Sequence, residues 1–279
     1  MNIYKTSFLS FTSTVIKTIS LFAINKFVAI IGGPSALTTL GNFQNYLAII
    51  YIFSGTMYQT GIVKYVAELK SDFEKESFLN NFIIIALSQS LVITLLLIFF
   101  IEDLTSLIFF SDEYKLVIGL ALISLPFVVF SILSISYFNG TGKINEFVLT
   151  NIFASFANLF LVLFLGNFFG VLGIYIAFAT YFIFVFFFAF RLLNKQIKNF
   201  VFKLELEIEL VKKLLVFSII TISSVFISNL TLISYQRNFE LSYVTKLLFW
   251  LLAGSLELIS SCNVFHNNFS IYLSVTNSF

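Results

Sequence analysis

Cysteine and histidine are nearly absent from these 279 residues, which hold one of each, Cys262 and His266. A lone cysteine closes no internal disulfide, and a lone histidine with no cysteine or carboxylate cluster beside it makes no recognisable metal site, so redox and metal chemistry are not expected. Charge is scarce too. Asp, Glu, Lys and Arg make up 11% of the chain against 59% hydrophobic residues, too little polar surface to coat a water-soluble globule of this size. Alternating ten-residue strands of a barrel are missing, as is any nucleophile–base constellation. Lys5 precedes an apolar run of full spanning length with no small-residue cleavage site after it, so the N-terminus reads as a retained helix and not a secretory signal. An integral membrane protein is expected, without cofactor, enzymatic activity or nucleic-acid partner.

What is present is a series of apolar runs of about twenty residues, the length a helix needs to cross roughly 30 Å of hydrocarbon. Seven segments pass that test: Phe8–Ile31, Phe43–Val63, Phe82–Ile101, Leu116–Phe138, Phe147–Leu165, Val171–Phe190 and Leu214–Tyr235. An eighth, Leu247–Leu256, meets Glu257 after ten residues and is too short to span unaided. With the N-terminus in the cytoplasm, Lys64, Lys70, Lys75, Lys143, Arg191, Lys195, Lys198, Lys203, Lys212 and Lys213 all fall on the cytoplasmic side. The opposite loops, Gly32–Asn42 and Gly166–Gly170, carry no cation, and Glu102–Lys115 is acidic apart from its last residue. That asymmetry sets the orientation. The connection Arg191–Lys213 contains the alternating stretch Lys203–Glu209, which suits an extended or interfacial linker. Helices one and seven also echo each other, with hydroxyl-rich starts (Thr12–Val15, Ser223–Phe226) and cationic outer ends (Lys26, Arg237). Parallel repeats of six helices produce such a pattern. The expected organisation is a six-helix lobe over 1–200 and a partial second lobe with a divergent tail over 201–279.

Lys17 lies near the middle of the first run, where a cation costs roughly 2.5–3.5 kcal/mol on insertion scales, so it reads as a functional-site candidate. Lys26, nine residues on, falls on the opposite face of an ideal helix and is close enough to the outer end to snorkel. Asn151, Ser155 and Asn158 form one polar stripe on helix five, and Thr221, Ser224, Ser228, Thr231 and Tyr235 form another on helix seven. Bonding between helices, or to the helix's own carbonyls, is the default role of such stripes, and ligand contact is the alternative. Lys64, at a cytoplasmic helix end, is ordinarily an interface anchor.

Lys5, the Lys17/Lys26 pair, Gly33-Pro34, Gly41-Asn42-Phe43 and above all Gly61-Ile62-Val63-Lys64-Tyr65-Val66-Ala67-Glu68 resemble the Wzx flippases of bacterial polysaccharide assembly, particularly the enterobacterial common antigen (lipid III) branch. The hydroxyl-rich seventh span ending in Tyr235-Gln236-Arg237 is similar to that family's corresponding helix. The resemblance implies an all-α, polytopic transmembrane bundle of about seven to eight helices. These would comprise the six-helix N-terminal lobe of a two-lobe, MATE-like transporter and the start of the second lobe. It implies transfer of a polyprenyl-pyrophosphate-linked oligosaccharide, of O-antigen or common-antigen type, from the cytoplasmic to the periplasmic leaflet of the bacterial inner membrane. Membrane lipids, polysaccharide polymerase and assembly proteins are the further partners it implies. Lys17, Lys26, Asn42, Lys64, Asn151, Asn158 and Arg237 are then the candidate substrate-binding residues. Gln44 stands where related sequences can carry an arginine, and after about Leu241 the family pattern gives way to a Ser/Asn-rich tail. The expectation is a chain truncated or frameshifted after about residue 240, which leaves open whether it transports or only inserts.

Two other functions compete. A drug or cation antiporter of the same superfamily would place a carboxylate inside the membrane, and none of the seven spans contains Asp or Glu. A membrane enzyme acting on polyprenyl-linked glycans would favour a sizeable outer loop with catalytic side chains, and the outer loops are short.

Overall fold

The computed structural model describes residues 3–196 and 222–223. Within them the chain forms α1 (Ile3–Ser54), α2 (Gln59–Glu68), α3 (Asp72–Phe99), α4 (Ile101–Phe109), α5 (Lys115–Gly140) and α6 (Ile144–Gln196), with no strand among the described residues. At 52 and 53 residues α1 and α6 are about twice the length a bilayer requires. Each is broken at one glycine, Gly33 (φ 69°, ψ −168°) in α1 and Gly170 (φ 59°, ψ −137°) in α6.

The chain reverses at both breaks. Lys17 and Tyr51 of α1 line a single cavity, although a straight helix would hold them about 50 Å apart. In α6, Phe153 and Phe188 stack with ring centroids 4.3 Å apart on opposite sides of Gly170. Each long helix is therefore a hairpin of two limbs, 3–32 and 34–54 in α1, 144–169 and 171–196 in α6. With α3 and α5 they make six traverses, an all-helical multi-pass membrane bundle that matches the first six expected spans. The seventh, Leu214–Tyr235, lies outside the described residues except for Ile222 and Ser223, as do the run Leu247–Leu256, Arg237 and most of the expected second lobe. Ile222 packs against a core drawn mainly from α2, α3 and α5, with Ile52 of α1, Met57 and Tyr58 of the turn after α1 and Leu193 of α6.

Three boundaries differ from expectation. The outer loops Gly32–Asn42 and Gly166–Gly170 contract to single-glycine turns. Pro34 starts the second limb of α1, where its fixed φ suits a first helical turn and its missing N–H has no carbonyl to meet. The expected span Phe43–Val63 is interrupted at Gly55 (φ 130°), followed by a 3₁₀ turn, Thr56–Tyr58, before α2. Gln89 of α3 secures this break by donating to the Phe53 carbonyl at 2.6 Å and accepting from the Tyr58 hydroxyl at 2.8 Å.

α3 begins with a capping box. The Ser71 hydroxyl accepts from the Glu74 amide at 3.1 Å, and the Glu74 carboxylate accepts from the Ser71 amide at 3.3 Å. α5 is the central helix, buried by α3, α2 and α6. Its serines Ser124, Ser131, Ser134 and Ser136 donate to carbonyls three or four residues back at 2.7–2.8 Å, which keeps the packed surface small and its hydroxyls satisfied. Pro126 removes the N–H that would bond the Leu122 carbonyl. Thr94 of α3 supplies the replacement, its hydroxyl donating to that carbonyl at 3.1 Å.

The traverses alternate, so the α2–α3 junction, the α5–α6 junction and the end of α6 gather at one end of the bundle, and Gly33, α4 and Gly170 at the other. Phe43, Phe109, Tyr114 and Tyr175 fill the core near the glycine end, with Phe109 centroids 5.3, 4.6 and 5.1 Å from the other three in that order.

Candidate functional site

A cavity of about 520 Å³ opens between the two limbs of α1, α5 and α6. Each limb of α1 and of α6 contributes one face at helical spacing. Lys17, Ser20, Leu21 and Ile24 come from the first limb of α1, and Gln44, Leu47, Ala48 and Tyr51 from the second. Asn151, Ala154, Ser155 and Asn158 come from the first limb of α6 and Phe178, Tyr181 and Phe182 from the second. Ile132, Ile135 and Ser136 of α5 form the floor, and exposed Gln59 of α2 stands toward the end that bears the lysines.

The electrostatic character is one-sided. Among the described lining residues Lys17 is the single cation and no Asp or Glu is present. The neutral polar groups divide by what they still offer. The Asn151 side-chain amide donates to the Phe147 carbonyl at 2.8 Å, the Ser155 hydroxyl to the Asn151 carbonyl at 2.9 Å, and the Ser136 hydroxyl to the Ile132 carbonyl at 2.8 Å. Asn158 is 9% exposed, and its Oδ1 is buried without a hydrogen-bond partner. Aromatic rings frame the rest, with Tyr51 edge-on to Phe182 at 6.1 Å.

Of the sequence candidates, the fold brings Lys17, Asn151 and Asn158 together around this cavity. Lys26 is exposed elsewhere on α1, on the opposite face as its nine-residue spacing from Lys17 requires. Asn42 is half-buried and does not line the cavity; Gln44, two residues on, does. Lys64 is exposed on α2, 3.9 Å from Glu68 and with its Nζ 5.5 Å from the Tyr65 ring centre. Arg237 lies outside the described residues. Sequence reasoning missed Ser20, Tyr51, Gln59, Ser136 and Tyr181. The available signal was helical spacing from a residue already flagged, since Ser20 is three residues from Lys17.

No protein-family model matches the chain, and neither does any curated protein. Solved structures do. A MOP superfamily transporter from Pyrococcus furiosus, described by a binding pocket of reversed polarity that suggests a different function, superposes with a TM-score of 0.67 at 18% identity over 83% of this chain and 54% of its own. An outward-facing multidrug resistance MATE transporter gives a TM-score of 0.61 at 19% identity, covering 77% of this chain and 51% of that one. A MATE protein in complex with Br-NRF gives 0.59 at 20% identity, covering 91% and 63%. The chain thus has the helix arrangement of MOP-type transporters and spans about half the length of the first two solved structures it matches.

Proposed function

We propose that this chain is a transporter component whose cavity receives the anionic, polyhydroxylated headgroup of a polyprenyl-pyrophosphate-linked oligosaccharide during its transfer between the leaflets of a bacterial inner membrane. One observation carries the reading. The cavity has a cation, Lys17, among neutral amides and hydroxyls, with no carboxylate among its described lining residues. A pyrophosphate entering a low-dielectric layer needs a cation and hydrogen-bond donors to replace water, because charge left uncompensated there is costly. Sugar hydroxyls need the same treatment from amides and hydroxyls. The substrate is moved and not chemically changed, so no nucleophile is required.

The fold likeness to multidrug MATE transporters favours a second reading, extrusion of organic cations. Lys17 opposes it, since a like charge on the wall repels a cationic ligand.

Binding to the purified 279-residue protein in detergent separates the two. Farnesyl pyrophosphate should bind and be displaced by inorganic pyrophosphate at higher concentration, with affinity falling as salt rises, and ethidium should not compete. Ethidium binding that strengthens in Lys17→Met, with no binding of the pyrophosphate, would replace the flippase reading with the antiporter one.

A further inference from the structure

We infer that Gln89 of α3, which stands outside the cavity lining, is a positioning residue for it: by clasping the break between α1 and α2 it turns Gln59 into the lysine-bearing end of the cavity, where that amide meets the sugar hydroxyls of the headgroup. This rests on the cavity being a headgroup site, as proposed above, and adds a residue that meets the saccharide and the one that holds it in place.

Gln44, Leu47, Ala48 and Tyr51 form the cavity-lining face of the second α1 limb, at helical spacing. At about 100° per residue, a helix continued without interruption would hand that face on to Gly55 and Tyr58. The structure does otherwise. Tyr58 is 5% exposed and packs with Phe82 of α3, ring centroids 6.1 Å apart, while the next residue, exposed Gln59, lines the cavity. The change of phase arises at Gly55, whose φ of 130° strongly favours glycine, and in the 3₁₀ turn that follows, which winds more tightly than an α-helix. Gly55 also lies hard against α3, since a Cβ there would fall 3.0 Å from the Ala86 Cβ and 3.2 Å from the Ala86 carbonyl oxygen. Gln89, about one turn farther along α3, holds both sides of the break. Its Nε2 donates to the Phe53 carbonyl at 2.6 Å and its Oε1 accepts from the Tyr58 hydroxyl at 2.8 Å. A carboxamide of this length offers donor and acceptor at once, which an ionised carboxylate, an ammonium or an apolar chain does not. With the clasp in place Tyr58 is held on α3, and Gln59 is left at the cavity with an amide that can both donate to and accept from a saccharide hydroxyl.

The probe is farnesyl pyrophosphate bearing N-acetylglucosamine on its pyrophosphate, titrated into the full chain. Gln59→Ala and Gln89→Leu should each weaken its binding about threefold to tenfold, the worth of one hydrogen bond. The double variant should bind no more weakly than the weaker single one, because Gln89 acts through Gln59. Tyr58→Phe removes one hydroxyl and keeps the ring in the core, so it should show the same non-additivity with Gln59→Ala and supplies the cycle if Gln89→Leu does not fold. A second measurement reads position instead of stability. In a Cys262→Ser background, Gln59→Cys should be shielded from a hydrophilic maleimide by saturating sugar-bearing lipid, and should stay reactive at saturation once Gln89→Leu is added. Losses that add in the double variant, shielding that persists without Gln89, or wild-type affinity in Gln59→Ala or Gln89→Leu would overturn the assignment and leave the headgroup site standing. Failure of wild type to bind the sugar-bearing lipid would also overturn the assignment, and failure to bind farnesyl pyrophosphate as well would overturn the headgroup site with it.

Discussion

Lys17 was legible because its position alone is costly: an ammonium near the centre of a spanning run must find a polar environment. The structure places it in the lining of a cavity together with Gln44 and Asn158. Lys17→Met is expected to lower affinity for farnesyl pyrophosphate at least tenfold and to flatten its salt dependence, measured by titration at two ionic strengths, and an unchanged salt slope would remove Lys17 from the site. The asparagines were legible by their spacing. Ser20 could have been found by its spacing from Lys17, but Tyr51 and Tyr181 were not legible, and the reason is physical: in a membrane the lipid-facing and the core-facing sides of a helix are both apolar, so the amphipathic contrast that marks the inner face of a soluble helix disappears. Outside the spans the usual rules return. Lys115 at the start of α5 pairs with Glu102 at the start of α4, and the bond and the positive charge together hold the Glu102 carboxyl below its ordinary value. Because that folded-state value is depressed, the pair contributes stability above the ordinary carboxylate range and loses it as pH falls through the lowered value. Both side chains are exposed to solvent, so Lys115→Met should lower the melting temperature only slightly at neutral pH, and the difference from wild type should vanish in acid.

At the level of elements, the six traverses could be read from hydropathy, but their turns could not. Gly32–Asn42 looks like a loop because it is rich in small and hydroxylated residues. Yet the hydroxyls of Thr38 and Thr39 donate to the Pro34 and Ser35 carbonyls, both at 3.0 Å, so these residues sit comfortably in a helix. The turn itself is Gly33, whose positive φ combined with ψ near 180° is a region populated essentially by glycine alone, and Gly170 has similar angles. A Cβ at either position would touch nothing within 4 Å, so an alanine there measures backbone strain without steric conflict. Gly33→Ala and Gly170→Ala should each cost about 1–3 kcal/mol in unfolding free energy, and asparagine should give no relief because the conformation is not the ordinary left-handed helical one. Pro126 offers a sharper test. The Leu122 carbonyl that it orphans is held by Thr94, so Thr94→Val should cost about 1–3 kcal/mol in the native background. In a Pro126→Ala background the carbonyl regains its own helical partner, and the same substitution should cost clearly less. A double-mutant cycle by thermal or denaturant unfolding measures the coupling, and additive costs would mean that the α3–α5 bond does not serve the proline break.

For the molecule as a whole, single-glycine turns have a consequence for charge. They leave almost no chain at the end bearing Gly33 and Gly170, and the intervening α4 region there has Lys115 paired with Glu102. The other end collects Lys64, Lys70, Lys75, Lys143, Arg191 and Lys195, so six traverses divide the basic residues between two ends as the loop boundaries read from sequence suggest. Residues near short loops set orientation most strongly, and the end with the excess of Lys and Arg is predicted to lie in the cytoplasm. The cavity reaches toward that end through Asn151 and Gln59, whereas the aromatic cluster of Phe43, Phe109, Tyr114 and Tyr175 fills the core toward the opposite one. A headgroup presented from the cytoplasmic leaflet, as proposed, would then meet the Asn151 and Gln59 side of the cavity first. Orientation is thus the prediction on which a cytoplasm-to-periplasm direction of loading depends. With Cys262 replaced by serine, a cysteine at exposed Ser106 of α4 should react with a membrane-impermeant maleimide in intact cells, and a cysteine at exposed Asn194, near the end of α6, should react only after the membrane is opened. Labelling of Asn194→Cys in intact cells, with Ser106→Cys protected, would invert the molecule and turn the cavity toward the periplasm, so that the same Lys17 would meet anions arriving from outside.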